Sequence, residues 1–163
     1  HLVAPTGEPL TEIILQDIQD AFEAIQGGDD YYTTVPVANI HRAEIGEVEV
    51  VAFPAIVLVP GTIEYDTEPR ETRVLRTITG RWTIHVTLLL QTRTDAVRKV
   101  ERFIRDVHKA WNVDRRRGNY ALDSKLRLST PYYPSDPDDD VCGAYMEFEV
   151  WFRTALDDLN SVP

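Results

Sequence analysis

An α+β fold is what this sequence predicts: an antiparallel or mixed sheet with two helices packed on one face. Three observations lead there. Two stretches place apolar residues at helical spacing. Runs with period-two alternation stand between and after them. The order is helix, three to four strands, helix, two strands. Strand runs set beside only two helices give segregated layers rather than a β-α-β succession. At 163 residues the chain supports a single domain, 1–163, around one core. Its 43% hydrophobic and 27% charged residues are ordinary for a globular protein.

Residues 1–8 contain Pro5 and Gly7 without periodicity and read as a mobile or partner-docked tail. The chain opens on His1, which leaves open whether residues precede it, and the visible start has no signal-peptide pattern. Pro9 suits the first turn of a helix, and Ile14, Leu15, Ile18, Phe22 and Ile25 then recur at helical spacing, with Gly27 and Gly28 expected to end the helix. Residues 31–40 favour strand but contain Pro36, so an edge strand or extended loop is expected. Residues 46–53 and 55–65 read as strands bent at Pro54, with a bulge or turn at Pro60-Gly61, and 64–71 as a loop. Residues 73–79 and 82–91 flank Gly80-Arg81, a pair that suits a tight hairpin. In the second of these, Trp82, Ile84, Val86, Leu88 and Leu90 form an apolar face.

Thr94 is the expected N-cap of the second helix, whose stripe is Ala96, Val97, Val100, Phe103, Ile104, Val107 and Trp111. Arg115, Arg116 and Arg117 fall near its end, where positive charge suits the helix dipole. Residues 120–128 read as a strand, and 129–142, with three prolines, as a long loop. The alternation is clearest in residues 143–153, where Ala144, Met146, Phe148, Val150 and Phe152 share one face; Tyr145 and Trp151 fall on the other. Residues 154–163 are expected to fray.

The net charge is −10, and it is unevenly placed. Residues 1–80 carry 4 basic and 14 acidic side chains; residues 93–117 carry 9 basic and 4 acidic. So acidic a chain is not built to neutralise a phosphate backbone. No apolar run approaches the roughly 18 residues of a membrane span. The one cysteine, Cys142, excludes an internal disulfide framework.

Catalytic chemistry finds little support, and no catalytic residue, cofactor or metal is expected. The histidines and Cys142 lack metal-ligand spacing. Asp136, Asp138, Asp140 and Glu147 match positions 1, 3, 5 and 12 of a calcium loop, but Val141 stands where the turn needs glycine. No nucleophile elbow or phosphate-binding glycine loop is present. Cys142 beside Asp140 sits where a thiol pKa rises. A basic stripe remains: Arg98, Arg102, Arg105 and Lys109. It reads either as a solvated face, with Asp95–Lys99 and Glu101–Arg105 pairs at i, i+4, or as a partner surface, for which an acidic protein fits better than nucleic acid.

The element order resembles that of the tail terminator (tail completion) proteins of tailed bacteriophages. It runs from an amphipathic helix through the apolar strand that follows Phe53-Pro54, a hairpin arm and a Trp-led strand into the helix of residues 94–111, then to closing strands. The resemblance spans residues 11–153 and implies a non-enzymatic subunit of a hexameric ring that caps the tail tube and joins it to the head. The implied partners are further copies of the chain, the tail tube protein and a head-side connector protein. DNA would pass the lumen without specific binding, and no membrane is involved. The implied location is the head–tail junction of the virion, with assembly in the host cytoplasm. In such a ring the stripe Arg98, Arg102, Arg105 and Lys109 is expected to face an acidic surface of the neighbouring copy, drawn from residues 1–80. Two further roles fit the same pattern: a head–tail connector or neck protein, and a small ligand- or peptide-binding module using the open sheet face.

Overall fold

The computed structural model describes residues 8–42, 50, 52–66 and 77–155. Most of the tail and all but two residues of the fraying end lie outside them, as do parts of the stretches read as strands at 46–53 and 73–79 and of the loop at 64–71. Helix α1 is Leu10–Glu23 and helix α2 is Ala96–Asn112; the strands are β1 (Ile40–Arg42), β2 (Ala55–Tyr65), β3 (Thr77–Gln91), β4 (Asp123–Tyr132) and β5 (Val141–Ala155). They form one mixed sheet in the order β1-β2-β3-β5-β4, with β1 parallel to β2 and every other pair antiparallel.

Alternation fixes which face is buried. Trp82, Ile84, Val86 and Leu88 of β3 stand beside Ile56 and Leu58 of β2 and Met146, Phe148, Val150 and Phe152 of β5, all within the core. Both helices cover that face: α1 buries Leu10, Ile14, Leu15, Ile18 and Phe22, and α2 buries Val100, Phe103, Val107, Ala110 and Trp111. The Trp111 ring stacks on Phe148 at 3.9 Å between centroids, with Phe22 tilted against its side at 6.2 Å. Its indole N–H donates to Ser124 Oγ at 2.8 Å, so the large side chain is buried with its polar atom satisfied. The opposite face carries Val57, Thr87, His85, Tyr145, Glu147 and Trp151 and is left half-open.

Several local expectations change. Gly80-Arg81 is no turn: β3 runs unbroken through it, paired with Tyr65 and Glu64 on one side and Phe152 and Trp151 on the other. Glycine is needed there for room, since a Cβ would come within 2.6 Å of the Phe152 ring. α1 ends at Glu23, before the glycines; Gly27 and Gly28 instead supply left-handed conformations to the excursion that follows. Residues 31–40 hold a 3-10 turn at Val37–Asn39 and only the first residue of the three-residue strand β1. The cap of α2 is Asp95, not Thr94; it is left-handed and makes no side-chain cap bond, and the Thr92 hydroxyl bonds both the N–H and the carbonyl of Thr94. β4 begins at Asp123 and extends through Pro131 to Tyr132, so the loop read at 129–142 shrinks to the connection 133–140. Proline is accepted because β4 is outermost among the described strands.

Candidate functional site

The basic stripe lies along α2, and its members have different surroundings. Arg105 Nη1 donates to the Asp30 carbonyl at 2.9 Å and to Asp106 Oδ1 at 3.1 Å. Lys109 Nζ donates to the same Asp30 carbonyl at 2.8 Å and lies 5.1 Å from the Tyr31 ring centre. Arg102 and Arg105 sit over the Tyr32 ring at 4.8 and 5.1 Å. Arg105 and Lys109 therefore hold the 29–33 excursion of their own chain by hydrogen bonds, whereas Arg102 only overlies the Tyr32 ring and, like Arg98, is exposed. Among the described residues neither expected i, i+4 pair forms; Lys99 donates to the Thr92 hydroxyl at 2.9 Å instead.

Asp106 fixes this excursion, and the sequence concealed it as one more charge on a charged helix. Its carboxylate is fully buried and accepts the backbone N–H groups of Tyr32 at 3.2 Å and Thr33 at 2.8 Å. The antiparallel bridge between Gln26 and Thr34 closes the base of the excursion. Asp106→Ala is expected to cost about 2–4 kcal/mol in chemical denaturation, because two backbone donors lose their acceptor. Asp106→Asn should cost less, since its amide oxygen still accepts; a loss below about 0.5 kcal/mol for the alanine variant would contradict this anchoring role.

Arg117 also departs from expectation. It is buried, left-handed at φ 48°, and lies in the turn after α2 rather than on the helix end. Its guanidinium donates to the carbonyls of Trp111 and Asp114 and stands 3.1 Å from Asp17 of α1. Burial lowers its pKa against the opposing pull of Asp17 and Asp114, and burial likewise raises that of Asp17 despite the nearby cation. Asp114 is held below the usual carboxylate range, chiefly by the N–H of Gly118, with that of Arg116 adding to it. This knot ties α1 to the α2–β4 connection.

α1 presents the opposite charge. Glu8, Glu12, Gln16, Asp17, Asp20 and Tyr120 border a groove of about 460 Å³. Glu12 is paired with Arg42 and Asp17 with Arg117. A second hollow, about 310 Å³, lies among Tyr32, Thr33, Thr34, Leu90, Lys99 and Arg102.

The other candidates have structural surroundings. In the acidic connection, Asp136 and Asp139 carboxylates accept the N–H groups of Asp138 and Val141, and the Asp140 carbonyl accepts that of Thr92. Glu147 is held on the open sheet face, where Arg127 Nε and His85 Nδ1 each approach it to 3.8 Å. Cys142 is buried, and burial is the first cause of its raised thiol pKa. Among the described residues no three or more His, Cys, Asp or Glu gather as a metal set, and no helix is long and apolar enough to cross a membrane.

No family model matches the chain, and no curated protein matches it.

Proposed function

We propose that the chain is a structural assembly subunit: a ring-forming tail terminator of a tailed bacteriophage, non-enzymatic, acting at the head–tail junction. Its partners in this reading are further copies of itself, the tail tube protein and a head-side connector protein, with DNA passing the lumen unread. The observation that carries the reading is the element order, a helix, a mixed sheet covered on one face, and a second helix entered directly from the Trp82 strand. The edge of the sheet supports it. β4 is ten residues long, outermost among the described strands, and exposes Leu128 and Tyr132, with Tyr133 just beyond its end. Such an edge offers backbone groups and apolar area to a neighbour. Identical subunits joined head to tail close into a ring when the rotation between them divides the circle. Negative-stain microscopy of the purified chain at low salt should show annular particles with an open centre; fields of single subunits at every concentration would overturn the reading.

A further inference from the structure

The two charged surfaces lie toward opposite ends of α2, a helix of 17 residues and so about 25 Å long. At its start Arg98, Lys99 and Arg102 are all exposed. Lys99 and Arg102 wall the 310 Å³ hollow together with the Tyr32 ring and the Thr33 and Thr34 side of the excursion. None of the three cations is paired with a described carboxylate; Lys99 bonds a hydroxyl and Arg102 lies over a ring. Beyond the far end of α2, Tyr120 borders the acidic groove of α1. There Glu12 and Asp17 have their own arginines, whereas Glu8 and Asp20 face no described cation, Asp20 accepting only the Gln16 amide at 2.8 Å.

We propose that the basic hollow at the start of α2 receives the acidic α1 surface that carries Glu8 and Asp20 on a second copy of the chain, an inference that rests on the self-assembly proposed above. Charge complementarity selects this occupant. Unpaired cations stand at one end of the molecule and unpaired carboxylates at the other, so the two surfaces match each other and neither matches itself. A two-fold contact would set like charge against like, whereas a head-to-tail contact satisfies both ends of every copy. A nucleic acid fits less well: the hollow is short, and Asp140 is tied through Thr92 to the Lys99 that lines it, in a chain of net charge −10. Exposed charges of this kind set the register and rate of association, while apolar area and strand edges supply most of the affinity. Relative to the stripe expected from sequence, the contact moves to its first half, because Arg105 and Lys109 already bind the Asp30 carbonyl.

A charge-swap experiment on the full chain tests this. One variant carries Arg98→Glu and Arg102→Glu; the other carries Glu8→Lys and Asp20→Lys. Sedimentation velocity at low salt should show each variant alone associating about ten-fold or more weakly than the parent, with circular dichroism unchanged and only the small thermal loss expected from the Arg102–Tyr32 contact. An equimolar mixture should recover the parent's assembly, since each reversed end then meets a reversed partner. Arg98→Glu alone serves if the double variant unfolds, because the Arg98 side chain makes no hydrogen bond or ion pair with another described residue. If the parent assembles and either variant assembles equally well, or the mixture stays dissociated, this contact is wrong while self-assembly stands. A parent that stays monomeric at every concentration overturns both.

Discussion

Gly143→Ala should leave little or no native protein. Gly143 sits in β5 between Leu89 of β3 and Tyr132 of β4. A Cβ there would stand 1.8 Å from the Leu88 carbonyl oxygen and 2.8 Å from the Leu88 carbonyl carbon. Both are backbone atoms of the central strand, so no rotamer change relieves the overlap. Relief requires opening the ladder between β3 and β5, which runs from Thr77 and Ala155 to Gln91 and Val141. The expected loss exceeds about 4 kcal/mol, a large part of the 5–15 kcal/mol that holds a typical domain together. Gly80→Ala is the internal control. Its obstacle is the end of the Phe152 ring at 2.6 Å, a side chain that can tilt, so a loss of about 1–3 kcal/mol is expected. Urea denaturation of both variants decides the matter. A Gly143→Ala protein within about 1 kcal/mol of the parent would mean that the β3–β5 register around Leu88 is not the one described.

Trp111→Ala carries the second large effect, about 3–5 kcal/mol. The indole lies between Phe148 of the sheet and Phe22 of α1, so one side chain joins three elements of the core. Removing it empties the contact and leaves the Ser124 hydroxyl without its donor. Ser124 keeps its bond to the Arg115 carbonyl, which limits that part of the loss. Trp111→Phe retains most of the packing and should cost less than half as much. Equal losses for the two variants would place the stabilisation in the N–H···O bond rather than in the stacked rings.

Both predictions concern residues whose weight shows to different degrees in the sequence. Trp111 is legible as the last member of an apolar stripe, as are the alternating core positions of β3 and β5, because period alone assigns them to a face. Gly143 gives no such signal; its need for a bare Cα comes from how closely β3 passes. Gly80-Arg81 misleads for the same reason, since the dipeptide is a turn signal locally while strands on both sides hold it extended. Of three consecutive arginines, only the approach of Asp17 from a distant helix and a left-handed backbone at position 117 select the buried one. Asp106 is hidden likewise: its function depends on backbone donors more than 70 positions earlier in the chain. The basic stripe was legible as a pattern. That its latter half, Arg105 and Lys109, grips the chain's own 29–33 excursion while Arg98 and Arg102 stay exposed depends on where α1 releases the chain.

The measurement that bears most directly on the proposed role is the mass of the native assembly. Native mass spectrometry of the full chain, from low to moderate salt, should give a closed species of about six copies of the 18.6 kDa subunit, with no ladder of ever larger oligomers. Rising salt should slow its formation without changing its final stoichiometry. A monomer under all conditions, or an open series of sizes with no preferred number, would contradict a ring that ends a tube.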